Sequence, residues 1–407
     1  MIHSLKQIIC ISLLTILAQT AWGSNLFTTL LGKSESEVEQ KMNSLWKHFF
    51  TPADISRYDA DGEKSVYYET ADGMAFVMDT GNDDVRTEGM SYGMMICVQL
   101  NHRTQFDKLW AWAKAHMAYP ANSIWDGYFC WQCKTDGTPF GHSNASDGEL
   151  YFVTALFIAA EKWNEPRYAE EANAILNKVM SKGNGVSDGQ TTVYNLYDAD
   201  SHLITFVPDQ IGHLFTDPSY QLPAFLQKWS KVATDNRTFW KKAAKAARQH
   251  LINAAGNDTG IYPDYSLYDG KPYRWPQADY DTSLYMWDAL RCAMNVGMDY
   301  YLCGKDKKRQ QTIMRNWLTF IKKDGFRHSH FSVDGKQAFG EYNHGMIGAN
   351  AVGAFALADS PLESDRRLAR EFIQQLWDAQ PPTGKYRYYQ GMVYMLSLLH
   401  VSGNFKL

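Results

Sequence analysis

Apolar residues recur three and four positions apart through most of this chain, the period of helices that bury one face. The pattern predicts twelve helices, over roughly 34–50, 87–101, 105–117, 147–163, 166–180, 218–231, 236–250, 279–297, 307–322, 344–357, 365–379 and 385–400. Asp147, Pro166, Pro218 and Asn236 mark starts, and glycines mark several stops. No linker or low-complexity stretch interrupts the series, so residues 24–407 read as one all-α domain of paired helices. No repeat of fixed period is visible, which favours a closed ring over an open solenoid.

The connections alternate in character. Short ones lie at 164–165 and 380–384, whereas 51–86, 118–146, 181–217, 257–278 and 323–343 are long and aromatic. Asp-Gly and D-A-D-S turns between Tyr, Phe and Val predict hairpins inside the long ones. With every second connection long, the long ones share one end of a ring, and elaborated loops at one end are where a site belongs.

The stretch from Asp83 to Leu100 leads from such a loop into a helix. Thr87 is read as its N-cap, with Tyr92, Met95, Ile96 and Gln99 following at helical spacing. Glu88 then opens the helix, where the dipole favours a carboxylate. Arg86 and Tyr92 stand beside it, and Gly89 and Gly93 are read as leaving room for a ligand.

Composition narrows the ligand. A net charge of −4 without a Lys/Arg run excludes nucleic acid as a natural partner. Many of the 13 Trp and 24 Tyr lie in polar loops beside Asp, Gly and Asn, where flat amphipathic rings suit sugars. Lys6, the apolar run Ile8 to Leu17 and Ala21-Trp22-Gly23 read as a signal peptide cut after Gly23. A secreted or periplasmic protein is therefore expected, with no membrane association after cleavage. Five cysteines follow, and Cys130-Trp131-Gln132-Cys133 lacks the second pair or histidines of a zinc site. It is read as chance spacing, with one bridge left open.

Three carboxylates have the placement of chemical groups. Glu88 and Asp147 each open a helix after a long loop. In D-Y-D-T-S-L-Y-M-W-D-A-L-R, Asp281 and Asp288 are read as sharing one helix face, with Arg291 three residues beyond Asp288. A structural ion pair accounts for Asp288 and Arg291. Glycoside hydrolysis is the functional alternative, needing one protonated and one ionised carboxyl.

The motifs D-V-R-T-E-G-M-S-Y-G-M, D-G-E-L-Y-F, D-P-S-Y-Q-L-P, D-A-L-R-C-A-M-N-V-G-M-D and R-Y-Y-Q-G-M-V-Y-M-L resemble those of glycoside hydrolase family 8, in the form of its xylan-active branch. The resemblance implies an (α/α)6 barrel that hydrolyses β-1,4 links with inversion, without metal or cofactor. It implies Glu88 as general acid, Asp288 as general base, with Asp281 a rival, and Asp147 as the carboxylate of the sugar subsite beside the cut. Tyr220 falls near the water, Trp131, Tyr388 and Tyr389 on stacking positions, and Arg86 on a substrate or acid-orienting contact. Trp125, Tyr92, Asp281 and His344 complete the substrate-binding set, and a monomer acting on xylan or xylo-oligosaccharides is expected. Branch members that release xylose from reducing ends carry a Leu-His-Pro loop, which F-G-E-Y-N-H-G-M lacks. Endo action is therefore expected, with reducing-end exo action as the alternative and a non-catalytic carbohydrate-binding protein as a third reading.

Overall fold

The computed structural model describes residues 24–407, so the signal peptide expected over 1–23 lies outside the described residues. Helices α1 to α14 span Leu26–Leu31, Glu35–Phe50, Thr87–Gln99, Arg103–Trp112, Ser146–Trp163, Pro166–Val179, Pro223–Val232, Arg237–Asn253, Arg291–Cys303, Lys307–Asp324, His344–Gly353, Phe355–Ala358, Glu363–Asp378 and Arg387–Val401. Six of them close a ring: α3 packs on α5, α5 on α7, α7 on α9, α9 on α11, α11 on α14, and α14 back on α3. Outside it, α4, α6, α8, α10, α13 and α2 pack on α3, α5, α7, α9, α11 and α14 in turn.

Sequence dictates which helix lies inside. In α3 every residue except Glu88 is buried, the signature of a helix apolar all round. In α13 only Asp365, Leu368, Ala369, Phe372, Ile373 and Leu376 are buried, a single stripe facing the ring. The start of α2 is fixed by a capping box between Ser34 and Glu37.

The long connections carry the short strands. Strands β1 (Tyr67–Glu69), β2 (Ala75–Asp79), β3 (Asp84–Arg86) and β4 (Gln132–Cys133) form one antiparallel sheet in that order. Hairpins β5–β6 (Val186–Ser187, Thr192–Val193) and β7–β8 (His330–Phe331, Ala338–Phe339) occupy two further loops. The connection 257–278 makes isolated bridges in place of a hairpin, with Ser266 opposite both Thr216 and Pro272.

Three helix starts differ from the periodic reading. Arg86, not Thr87, is the N-cap of α3: pairing of Arg86 with Gln132 keeps it extended, and the Thr87 N–H is already bonded to the Trp131 carbonyl at 3.0 Å. Residues 218–220 form a 3-10 turn capped by Asp217, and α7 begins only at Pro223, whose ring suits a first helical position. The helix expected over 279–297 begins at Arg291, so Asp281 and Asp288 share no helix face. The Asp264 carboxylate accepts the N–H groups of Met286, Asp288 and Ala289, which bends this segment into turns.

Close approach of inner helices has one exacting point. A β-carbon on Gly297 would stand 2.0 Å from the Val352 carbonyl oxygen, so α9 and α11 meet backbone to side-chain-free backbone. Gly297→Ala is expected to lower unfolding free energy by about 3 kcal/mol or more, the upper part of the overpacking range. Chemical denaturation measures it, and a change under about 0.5 kcal/mol would show that the two helices separate freely.

Candidate active site

Arg291, first residue of α9, has a side chain only 3% exposed. Its Nη1 donates to Glu88 Oε2 at 3.2 Å, Asp147 Oδ2 at 2.7 Å and the Tyr92 hydroxyl at 2.9 Å. Its Nη2 donates to Asp288 Oδ1 at 2.8 Å and Ser219 Oγ at 2.9 Å, with Asp217 Oδ2 at 3.7 Å. The starts of α3, α5 and α9 therefore meet at one end of the ring. Both carboxylate bonds end on one planar fork, so the nearest oxygens of Glu88 and Asp288 are no more than about 8 Å apart. That ceiling admits both the roughly 5–5.5 Å of a retaining pair and the lower part of the roughly 6.5–9.5 Å of an inverting one.

One cation faces four carboxyls here, and they cannot all ionise in a site this dry. Burial is the main cause pushing Glu88 up to about 8; Arg291 opposes it, while the charges of Asp147 and Asp288 add to it. Burial also raises Asp147 and carries Asp217 well above the carboxylate range. Burial opposes the Arg291 charge, but Tyr92, Tyr389, Asp288 and Asp147 around it outweigh that opposition and hold it above the ordinary guanidinium value. Tyr388 donates to Glu88 Oε1 at 2.9 Å, fixing the second oxygen of that carboxyl. Gly89 makes this bond feasible, since a β-carbon there would lie 2.5 Å from the Tyr388 ring. The room that Gly89 provides is thus filled by Tyr388, and that at Gly93 by Val77 and Leu109, in place of a ligand.

Other sequence-selected residues divide by exposure. Tyr220 is buried with its ring 5.5 Å from the Arg291 guanidinium, and Tyr389 donates to the Trp287 carbonyl at 2.8 Å. Trp131 is half-buried beside Arg86, whose guanidinium stands 5.4 Å from its ring. Arg86 itself is bound to Asp84 and Asp79 at 3.0 and 3.2 Å, which makes it a brace for Trp131. His344 is half-buried at the start of α11, edge-on to Tyr394. Four placements differ from expectation, the first being Tyr388, which is buried with its hydroxyl on Glu88 and so offers no stacking face to a sugar. Tyr92 is buried beneath Arg291 as its acceptor, and Trp125 packs among Tyr119 and Tyr128 in the core, so neither offers a face to a sugar. Asp281 pairs with Arg274 at 3.1 Å and accepts from Ser283, apart from the Arg291 cluster, which removes its ground as a rival base.

Sequence reasoning missed Arg291 as the centre of the cluster and missed Asp217, Ser219 and Asp264. The D-P-S-Y motif contained the signal for two of them, because an Asp before Pro-Ser caps a turn and aims the serine inward.

The sequence pattern of the Glycosyl hydrolases family 8 matches residues 61–403, and the chain belongs to that family. A reducing end xylose-releasing exo-oligoxylanase of Halalkalibacterium halodurans is 34% identical, the match covering 94% of each chain. The structure of Rex8A from Paenibacillus barcinonensis complexed with xylose superposes with a TM-score of 0.83 at 33% identity, over 95% of this chain and 97% of that one. A family 8 protein of Teredinibacter turnerae, solved as a xylobiose complex, gives 0.84 at 36% identity over 95% and 97%. The fold is the (α/α)6 barrel, and the protein is a glycoside hydrolase.

The raised Glu88 value has a consequence for stability with a definite sign. The folded chain holds that proton more tightly than the unfolded chain, so stability is lost as pH rises from about 4.5 to about 8. Glu88→Gln removes this loss. The thermal midpoint of the variant minus that of wild type is expected to grow across that window and level off above it. A constant difference would contradict the raised value.

Proposed function

We propose that the protein hydrolyses β-1,4-xylosidic bonds of xylo-oligosaccharides with inversion, releasing xylose from the reducing end. The observation that carries the reading is the pair Glu88 and Asp288 on two arms of one guanidinium, with Glu88 the acid that keeps its proton up to about pH 8. Glu88 gives its proton to the glycosidic oxygen as the C1–O bond breaks. Water attacks C1 from the opposite face, and Asp288 takes the proton that the water loses. Configuration at C1 inverts, and Asp147, buried beside Arg291, faces the sugar ring that carries C1. The next turnover needs a proton back on Glu88 and one off Asp288, both exchanged with solvent.

Three curated relatives, matched over 94% or more of this chain, are reducing-end xylose-releasing exo-oligoxylanases, which supports exo action over the endo action expected from the sequence. Endo action is the second reading, and the observation favouring it is the absence of a Leu-His-Pro loop from Phe339 to Met346. A leader over 1–23 would place the enzyme outside the cytoplasm, where polymer-derived oligomers arise.

Xylohexaose with proton NMR and chromatography tests the proposal. Xylose and xylopentaose are expected as first products, with the new xylopentaose end released as the α-anomer. The ratio kcat/KM is expected to fall as pH rises through about 8, when Glu88 loses its proton. An initial spread of xylobiose to xylotetraose would establish endo action. A β-anomer, or no turnover, would overturn the mechanism.

A further inference from the structure

The loop from Ile261 to Trp275 puts no side chain on Arg291, yet one of its residues governs where Asp288 sits. Asp264 is fully buried. Its Oδ1 accepts the N–H groups of Met286 and Asp288 at 3.1 Å each and of Ala289 at 2.9 Å. The Asp264 and Tyr265 N–H groups donate in turn to the carbonyls of Leu284 and Thr282, at 2.7 and 2.8 Å. Residues 282–289 thus lie along 264–265, held from both directions by backbone and by one carboxyl.

Asp288 has no helix ladder to fix it, since α9 begins three residues later. Its backbone is set by Asp264, and one of its oxygens is set by Arg291. Its Oδ2 accepts no bond from the described residues, and the side chain is 24% exposed. Two fixed points and one free oxygen are the geometry of a carboxylate prepared for an external proton. We infer that Asp264 is a positioning residue for the hydrolytic step, holding the 286–289 backbone so that the free oxygen of Asp288 meets the attacking water. The inference rests on the reading of Asp288 as general base.

The chemistry of Asp264 suits that task. Burial, with the Asp288 charge as the next cause, pushes it up to about 8, so it serves as a neutral acceptor that adds no negative charge beside the base. Asparagine offers the same acceptor and the same neutrality. Alanine removes the acceptor, and glutamate keeps it but displaces the turn by a methylene. A displacement near 1 Å at a reacting group costs about 10²-fold in rate.

Steady-state kinetics of four variants on xylohexaose test the inference. Asp264→Asn is expected to keep kcat within about threefold of wild type. Asp264→Ala and Asp264→Glu are expected to lose about 10²-fold in kcat with KM within about threefold, a split that mere destabilisation would not produce. Should the alanine variant fail to fold, the asparagine and glutamate pair decides alone. The inference is overturned if Asp264→Asn is as slow as Asp264→Glu, or if Asp264→Glu keeps its kcat. The fourth variant, Asp288→Asn, separates the two claims. Slow Asp288→Asn beside fast Asp264→Glu rejects the positioning role alone, whereas an active Asp288→Asn rejects the base and the positioning role with it.

Discussion

A single buried guanidinium is the constraint on which the rest of the site depends. Arg291 sits at a helix start, where the dipole disfavours a cation, and it lies away from water. It is stable there because carboxyls of Glu88, Asp147, Asp288 and Asp217 surround it. The same arrangement is costly for the carboxyls, which outnumber the charge that satisfies them. Burial is the main cause of the raised Glu88 value; Arg291 opposes it, and the charges of Asp147 and Asp288 add to it. Burial keeps Glu88 protonated near neutrality against the pull of Arg291, while the same guanidinium fork holds Asp288 on its far arm.

The ring supplies the geometry that makes the interaction possible. Six inner helices, largely buried, bring the starts of α3, α5 and α9 to one end, and the long loops rise from that end. The sheet β1–β4 couples loop to site, because Arg86 caps α3 and the Trp131 carbonyl takes the Thr87 N–H. Trp131 is therefore held in register with Glu88 by backbone bonds, and Arg86 braces its ring.

Most of the helices were legible from their period, because an apolar stripe must face a core whatever the tertiary detail. Glu88 and Asp147 were legible for a related reason: each follows a long loop and opens an inner helix. Asp288 was found but placed in the wrong local structure. The bonds that bend its segment come from Asp264, more than twenty residues upstream, and periodicity carries no information about them. Arg291 resembled half of a local ion pair because three of its carboxyl partners lie 74 to 203 residues away in the chain, as Asp217, Asp147 and Glu88 do. Tyr92 and Trp125 look like sugar contacts in sequence because aromatic residues beside polar ones look alike whether buried or exposed.

The claim that geometry, rather than charge alone, makes Arg291 the organiser is tested most directly by the kcat of Arg291→Lys on xylohexaose, with circular dichroism to verify folding. Lysine keeps the charge as a point but loses the planar fork that reaches both arms of the site. The expected result is a folded variant whose kcat falls by at least about 10²-fold. A folded variant within about threefold of wild type would show that a positive charge suffices, and that the fork does not hold Glu88 and Asp288 in register.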